Sequence, residues 1–312
     1  MKFDEIELNE QKFASTIGVE INSLTDECKS LLKQYNLKYR HLDKEEFEEA
    51  LLCIFQGMQT RLHLKSGRDR KFYWDAGWKS NLDSYKDIKN AENLKPGYFR
   101  YEKYVRYDGT YVKPLSSEFV FKFLKILQAQ FYVDRLKNID NVFELGCGSG
   151  HNIASLSEFF PNKNFIGLDW SIEAINIVNL LNENIEANIS GQIFDFFTPH
   201  KNDFEVPPNS AFITTGAFEQ MGTDCEKIIQ FTLDKKPDIV INLEPIREFY
   251  DPNNLSDFVA LNYHDERNYL NGYYTKLLSL EKKGALEIEF AKKINFGGHC
   301  HDGWSTIIWR PL

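Results

Sequence analysis

The chain has 312 residues, a formal net charge of −9 and a charged-residue content of 27%. This length allows one large domain or two, and a hydrophobic content of 42% argues against disorder. The acidic excess lies after residue 140, which argues against a nucleic acid as the substrate because a polyanion requires a broad basic surface.

The cysteines and the hydropathy of the chain indicate the compartment. The five cysteines are scattered and lack a C-x-x-C pair, which argues against a disulfide framework and against a zinc ribbon. The N-terminal residues are acidic, and no apolar run approaches the length needed to span a membrane. The sequence therefore predicts a soluble cytoplasmic protein that binds neither membranes nor nucleic acid, and it leaves the oligomeric state open.

Residues 1–135 are predicted to form a helical, aromatic-rich substrate or lid region. Apolar residues recur at helical spacing over 21–32, 47–58 and 116–135. Turn signals break the pattern from Lys65 to Tyr111, where aromatic and cationic residues alternate and positive charge exceeds negative. These residues are Tyr73, Trp74, Trp78, Tyr85, Tyr98, Tyr101, Tyr104 and Tyr107, with Arg68, Arg70, Lys71, Arg100, Lys103 and Arg106. Such a segment suits a sugar ring or base that carries an anionic group, or it packs as a lid on the catalytic domain.

Residues 136–312 are predicted to form the catalytic domain, which begins with the stretch NVFELGCGSGHN at 141–152. Apolar residues before Gly146 indicate the end of a buried strand, and the residues after His151 indicate the start of a helix. Glycines between them allow close backbone approach to a ligand, and the helix end offers free N–H groups. The dinucleotide fingerprint G-x-G-x-x-G requires a glycine where the chain has His151, which disfavours a nicotinamide oxidoreductase.

The acid and glycines of this stretch form the pattern E-x-G-x-G-x-G, from Glu144 to Gly150, which resembles motif I of the class I S-adenosylmethionine-dependent methyltransferases. The resemblance implies that the loop carries the methionine end of S-adenosyl-L-methionine and that Glu144 helps to hold its ammonium group. This cofactor is positively charged at sulfur and nitrogen, so carboxylates beside the loop suit it better than they suit a pyrophosphate.

Two further strand ends carry acids in the expected order. The run 164–169 ends at Asp169, about 20 residues beyond the glycine loop, where such folds place a carboxylate on the ribose hydroxyls. Trp170 is positioned to cover the adenine, and Asp195 in the strand 191–197 resembles the family residue that accepts from the adenine amino group. The complete predicted cofactor set is Glu144, Gly146, Cys147, Gly148, Gly150, Asn152, Asp169, Trp170, Asp195, Phe196 and Thr215.

The rest of the chain completes the predicted fold. The range 211–220 is expected to hold a strand followed by its loop, and further strands are expected over 237–245, 285–290 and 305–309, with two helices between 237–245 and 285–290. The fold class is therefore α/β, with a Rossmann-like, seven-stranded methyltransferase sheet whose last strand is antiparallel, preceded by the N-terminal helical region.

The carboxyl ends of the strands also select the catalytic candidates. Glu219 follows the fourth strand and Glu244 the fifth, where the alternative is a carboxylate at a helix start. On the next helix His264 and Arg267 share a face, as a base and an anion clamp or as surface ion pairs. His299 and His301 lack a third and fourth ligand, so no metal is predicted and an acceptor-site role is preferred.

These residues predict a methyltransferase that acts on a small hydroxyl-bearing acceptor, with a sugar or nucleotide-sugar that can carry negative charge as the expected substrate. The C-terminal half also resembles bacterial sugar O-methyltransferases, without a diagnostic motif. N-methylation of a small amine or a protein side chain is an alternative that requires less help from a base. A catalytically silent binding protein with the same cofactor fold is an alternative of another class.

Overall fold

The protein is described by a computed structural model that covers residues 4–61, 65–99 and 103–312. Of the aromatic and cationic segment, Arg100, Tyr101 and the side chain of Tyr98 lie outside the described residues. The strands are β1 (Ile6–Glu7), β2 (Lys38–His41), β3 (Val105–Tyr107), β4 (Thr110–Pro114), β5 (Asn141–Leu145), β6 (Asn164–Asp169), β7 (Asn188–Ile193), β8 (Ser210–Thr215), β9 (Ile239–Glu244), β10 (Leu286–Lys292), β11 (Phe296–Gly297) and β12 (Ser305–Pro311). The helices are α1 (Glu10–Ile17), α2 (Asp26–Tyr35), α3 (Lys44–Arg61), α4 (Lys71–Asp87), α5 (Phe119–Leu136), α6 (His151–Phe159), α7 (Ile172–Asn182), α8 (Glu226–Lys235), α9 (Leu255–Arg267) and α10 (Tyr273–Glu281).

The larger sheet has seven strands in the order β10-β12-β9-β8-β5-β6-β7. Strands β5 to β9 pair in parallel, whereas β12 is antiparallel to both β9 and β10. The prediction of a seven-stranded α/β sheet with an antiparallel last strand is thus confirmed. The strand order reverses between β5 and β8, and ligands of open α/β sheets bind beyond the carboxyl ends of the strands at such a switch point.

A second, antiparallel sheet has the order β1-β2-β4-β3-β11. Most of it comes from the first 114 residues, but β11 belongs to the connection between β10 and β12 and pairs with β3 at Phe296 and Tyr107. The apolar spacing in residues 1–65 predicted helices alone, and this prediction is wrong at β1 and β2. These strands are two and four residues long, too short for the alternation of apolar and polar residues to show.

One hydrophobic core joins the N-terminal part of the chain to the larger sheet. Helix α5 lies at its centre and is buried around most of its circumference, including Phe123, Leu127 and Phe131. The sheet's other face packs against α8 and α10 in a second core. Strands β8 and β9 are buried along their whole length, as expected for parallel strands that are covered on both faces. Within the described ranges, no helix is both long and apolar enough to cross a membrane.

A buried ionic network fastens the second sheet to the C-terminal part of the chain. The side chain of Arg106 on β3 is only 1% exposed, and its Nε and Nη2 atoms donate to the carboxylate of Asp302 at 3.1 and 3.0 Å. Its Nη2 also donates to Asp257 on α9, and its Nη1 donates to the carbonyl oxygen of Ser256 at 2.7 Å. Every guanidinium nitrogen of this arginine is therefore hydrogen-bonded.

Candidate active site

The glycine loop after β5 is packed tightly between two neighbouring elements. Gly146 adopts a left-handed conformation with φ of +77°, and a Cβ atom there would lie 2.4 Å from the Cβ of Ala217, after β8. A Cβ atom at Gly148 would lie 2.7 Å from the indole ring of Trp78 on α4. The loop is anchored by the carbonyl oxygen of Leu168, which accepts from the amide of Gly146 at 2.7 Å. Glycine is thus required both for the backbone conformation and for the close approach.

Glu144 lies beneath this loop with a 1% exposed side chain. Its Oε1 atom accepts from Nδ2 of Asn152 at 2.6 Å, and Oδ1 of Asn152 accepts from Nε2 of Gln128 at 2.6 Å. Its Oε2 atom is buried and has no hydrogen-bond partner among the described residues. Burial raises the pKa of Glu144 to about 8. An unpartnered carboxylate oxygen beside a glycine loop fits a ligand with an ammonium group.

Asp169 lies at the carboxyl end of β6, adjacent to the loop. Its Oδ2 atom accepts from the backbone N–H of Gly148 at 3.0 Å, and its Oδ1 atom accepts from the N–H of Ser171 at 2.9 Å. Burial raises the pKa of this carboxyl to about 6, while the two backbone hydrogen bonds lower it. The side chain is 6% exposed. Asp169 therefore fixes the shape of the loop and still has acceptor capacity for a ligand hydroxyl.

The elements after β6 and β7 place two aromatic rings and an acid at the same edge. The rings of Trp170 and Phe197 stack with centroids 5.9 Å apart and an interplanar angle of 26°. Asp195 follows the end of β7 and accepts from the amide of Phe197 and the hydroxyl of Thr198, each at 2.8 Å. It also lies 3.7 Å from the guanidinium of Arg68, which sits over the Phe197 ring. The predicted adenine-binding residues are thus brought together.

The remaining predicted cofactor residues lie between β5 and β8. The ring of Phe196 lies against Gly146, 3.0 Å from the position that a Cβ atom would take there. The hydroxyls of Thr215 and Tyr132 are 2.9 Å apart. Cys147 is buried, and its amide donates to the carbonyl oxygen of Leu168 at 3.0 Å.

Sequence analysis missed Gln128 and Tyr132, which reach this site from α5. Gln128 orients Asn152, and the Tyr132 hydroxyl contacts Thr215. Both residues belong to a helix in which most residues are apolar and buried. A glutamine in such a helix was the available signal, because a buried polar side chain is normally hydrogen-bonded.

Helix α4 covers the glycine loop with two tryptophans. The rings of Trp74 and Trp78 stack with centroids 5.6 Å apart, and Trp78 packs on Gly148. The segment after α4 also touches the loop, since the hydroxyl of Ser149 donates to the carbonyl oxygen of Leu94 at 2.6 Å. These contacts place part of the aromatic segment over the loop.

Glu219 lies beyond the carboxyl end of β8, in a turn that follows Ala217. Its Oε1 atom accepts from Nε2 of Gln220 at 2.8 Å, and Oε1 of Gln220 accepts from Nη1 of Arg70 at 3.2 Å. Burial raises the pKa of Glu219 to about 7, while the charges of Arg267 and Arg70 lower it. A carboxyl with a pKa near neutrality is suited to take a proton at physiological pH.

Glu244 and His264 are both enclosed by the protein. Glu244, 0% exposed at the end of β9, accepts from the amide of Ala217 at 3.0 Å, and burial raises its pKa to about 8. The hydrogen bond from Ala217 to Glu244 fixes the turn that carries Glu219.

His264, on α9 as predicted, is 1% exposed, and its Nε2 atom is 3.2 Å from Nδ1 of His301. Burial lowers the pKa of His264 well below its usual value.

The histidines near the C-terminus contact the protein itself. Nε2 of His299 lies 2.9 Å from the carbonyl oxygen of Ala50, on α3, and the ring of His301 stacks on that of Tyr263. In the part of the chain that the structure describes, no three His, Cys, Asp or Glu side chains are grouped to hold a metal ion.

No family model and no curated protein matches this sequence. Among solved structures, an O-methyltransferase from neocarzinostatin biosynthesis, in complex with S-adenosyl-L-homocysteine, matches with 12% identity and a TM-score of 0.41 over 61% of this chain. A geranyl diphosphate methyltransferase in complex with sinefungin matches with 10% identity and a TM-score of 0.43, over 60% of this chain and 77% of its own. Aeropyrum pernix fibrillarin with bound S-adenosyl-L-methionine matches with 15% identity and a TM-score of 0.42, over 69% of this chain and 86% of its own.

The matched part of this chain spans 56% of the neocarzinostatin O-methyltransferase, which is less than two thirds of its length. All three TM-scores lie below 0.5, so the fold is established by the strand order of the larger sheet rather than by these likenesses.

Proposed function

We propose that this protein is an S-adenosyl-L-methionine-dependent methyltransferase that methylates a hydroxyl group of a small molecule. The observation that carries the proposal is the unpartnered Oε2 atom of Glu144, buried beneath a left-handed glycine loop at the switch point of the sheet. Burial raises the pKa of this carboxyl to about 8 because the carboxylate form is costly there, and a cationic ligand at this place removes that cost.

The residues at the strand ends divide the proposed binding task. Glu144 accepts from the ammonium group, and the backbone of the loop at Gly146 and Gly148 lies along the methionine end. Asp169 accepts from the ribose hydroxyls with lone pairs that its two backbone contacts leave available. Trp170 covers one face of the adenine, with Asp195 at its amino group. When bound, the cofactor supplies a methyl group activated by a positively charged sulfur.

The acceptor chemistry requires alignment and removal of one proton. The bound cofactor would supply the electrophilic methyl group to the acceptor oxygen and would be left as S-adenosyl-L-homocysteine. Glu219 takes the hydroxyl proton, because its pKa is near 7 and it lies beyond the end of β8. We assign positioning roles to Glu244, which holds the turn before Glu219, and to His264, which packs against Tyr250 and His301.

The acceptor is proposed to be a sugar or nucleotide-sugar that carries negative charge. The supporting feature is the pair of stacked rings of Trp74 and Trp78 beside Arg70, since a sugar ring packs on aromatic faces and an arginine binds an anionic substituent. Residues 1–135 are correspondingly proposed as the acceptor-binding or lid region, and 136–312 as the cofactor domain. The cysteine pattern supports a cytoplasmic location for the reaction.

Titration calorimetry with S-adenosyl-L-methionine, S-adenosyl-L-homocysteine and NADH tests the cofactor. Heat with the first two ligands and none with NADH is expected. Absence of heat and of any thermal shift with both methionine-derived ligands would refute the proposal.

Incubation with methyl-labelled cofactor and a panel of sugars, nucleotide-sugars and amines then tests the reaction. Label on a sugar oxygen supports the proposal. Label on an amine nitrogen would support N-methylation instead, and cofactor binding without any labelled product would indicate a silent binding protein.

A further inference from the structure

Two buried arginines converge on the turn that carries Glu219. Arg70 precedes α4 and is 7% exposed, and Arg267 ends α9 and is 6% exposed. Their segments are joined directly, because the amide of Ser66 donates to the carbonyl oxygen of Arg267 at 2.7 Å. The Nε atom of each arginine is buried without a hydrogen-bond partner among the residues described.

The charges around this pair do not balance. Glu219 is the carboxylate that interacts with both guanidinium groups, while the acceptor for Nη1 of Arg70 is the neutral side chain of Gln220. Burial of Arg70 lowers the pKa of its guanidinium, and the positive charge of Arg267 lowers it further. Two arginines around one carboxylate leave an excess positive charge in a place that is largely removed from water, which is costly without an anion.

Arg106 shows how this protein satisfies an arginine that serves the fold. That side chain is more deeply buried, yet all of its guanidinium nitrogens donate to Asp302, Asp257 or the Ser256 carbonyl. Where an arginine stabilises the fold, this protein therefore provides a hydrogen-bond acceptor for every guanidinium nitrogen. The incomplete set around Arg70 and Arg267 indicates a place for a ligand.

Two tryptophan rings lie between the arginine pair and the glycine loop. Nε1 of Trp74 is 3.4 Å from the same Gln220 oxygen that accepts from Arg70. Trp74 stacks on Trp78, and Trp78 packs on Gly148. The arginine pair is thus separated from the loop by two aromatic rings, which places it on the side of the loop where α4 and the β8 turn meet.

We infer that Arg70 and Arg267 bind an oxyanion, a carboxylate or a phosphate, carried by the acceptor. This inference rests on the proposed function, which makes the region around Glu219 the acceptor side. Guanidinium groups present planar pairs of N–H donors that match the oxygens of either anion. The charged group is thereby held while a hydroxyl of the same molecule reaches Glu219.

Calorimetry of the protein saturated with S-adenosyl-L-homocysteine tests the inference with inorganic phosphate and, separately, with acetate as probes. Arg70→Gln and Arg267→Gln should each weaken the binding of the preferred probe about tenfold or more, because each removes charged hydrogen bonds. Arg310→Gln is the matched control, since Arg310 pairs with Glu289 on the outer strands and should leave the affinity unchanged. The stronger of the two probes identifies the group as carboxylate or phosphate.

Glu219→Gln provides a variant whose effect has the opposite sign. It removes the negative charge that competes for both arginines, so the affinity for the anion should rise severalfold. Should Arg70→Gln or Arg267→Gln fail to fold, Arg70→Lys and Arg267→Lys can replace them. These lysine variants retain the charge without the paired donors and should still weaken anion binding. The inference would be overturned if neither probe bound to the wild type. It would also be overturned if the arginine variants bound each probe with the same affinity as the wild type.

The two proposals fail separately. If S-adenosyl-L-homocysteine does not bind, the proposed function fails, and the anion titrations of the ligand-free protein still test the arginine pair. If S-adenosyl-L-homocysteine binds equally well to the wild type, Arg70→Gln and Arg267→Gln, the cofactor site stands. If phosphate and acetate then bind these three proteins with the same affinity, the inferred arginine site fails.

Discussion

Replacement of Glu144 by glutamine tests the role of the buried carboxylate most directly. Glutamine keeps the shape of the side chain and an oxygen for Nδ2 of Asn152, which Gln128 holds in place. It removes the negative charge and places an amide where the unpartnered Oε2 atom lies. The variant therefore separates the charge of the site from its shape.

The pKa of Glu144 sets the size of the effect. A rise from 4.5 to about 8 means that ionisation of this carboxyl in the ligand-free protein costs about 5 kcal/mol more than in water. At pH 6 the group is almost fully protonated, and a ligand whose ammonium requires the carboxylate must first displace that proton. Affinity should therefore rise about fiftyfold between pH 6 and pH 8 and level off above the pKa.

Binding of S-adenosyl-L-homocysteine, measured by calorimetry at intervals from pH 6 to pH 8.5, gives the profile. Glu144→Gln should be nearly independent of pH and, at pH 8.5, about tenfold or more weaker than wild type, because a charged hydrogen bond is lost. Glu244→Gln is the matched control, since Glu244 has a similar pKa but contacts the amide of Ala217. A flat wild-type profile, or a slope lost in the Glu244 variant and kept in the Glu144 variant, would refute the reasoning.

The same carboxyl affects stability with a definite sign. The folded protein holds the proton of Glu144 more tightly than the unfolded chain, so stability falls as pH rises from 4.5 through about 8. Without ligand, Glu144→Gln should unfold at a higher temperature than wild type at pH 9, and at the same temperature near pH 4.5. A variant that is less stable than wild type at pH 9 would show that the charge is already compensated in the ligand-free protein.

Three further predictions concern the loop, the ionic network and the proposed base. Gly146→Ala should lower the free energy of unfolding in urea by more than Gly284→Ala does. Both variants replace a glycine of positive φ, at a cost of about 1–2 kcal/mol, but of the two only the new Cβ at Gly146 would meet another atom, at 2.4 Å. Equal losses of stability in the two variants would contradict the close approach at Gly146. Arg106→Met should destabilise the protein by about 3–5 kcal/mol in the same assay, because Asp302 is left buried beside a single lysine, and a loss below about 1 kcal/mol would show that the network contributes little. Glu219→Gln should reduce the methylation rate about 100-fold or more and abolish its rise through pH 7, whereas an unchanged pH–rate profile would assign the proton to another group.

Much of the larger sheet could be predicted from the sequence because its signals are local. The apolar runs that form β5, β6, β8 and β9 are buried on both faces, so each reads as a strand without knowledge of its neighbours. The backbone of Gly146 is left-handed, and the glycines of the loop itself indicate such a conformation in the sequence. The acids at Glu144 and Asp169 follow from their place at the ends of those strands.

The second sheet and the acceptor side could not be predicted in the same way. Strands β1, β2 and β11 have two to four residues each, and β11 pairs with β3 from the opposite end of the chain. The aromatic segment was recognised from its composition, but the sequence did not show that Trp74 and Trp78 lie over the glycine loop while Arg106 and Tyr107 belong to the second sheet.

What the sequence determined by itself is the α/β class, the strand order along the chain and the acids beside the glycine loop, since each of these depends on residues within a few positions of one another. Only the tertiary structure decided which polar groups are left without partners. Arg70 and Arg267 are 197 positions apart, yet both lie at Glu219, whereas Arg106 is fully paired with Asp257 and Asp302. Burial and pairing depend on contacts between distant segments, and those contacts alone distinguish an arginine whose guanidinium nitrogens are all paired from one whose Nε atom is buried without a partner among the described residues.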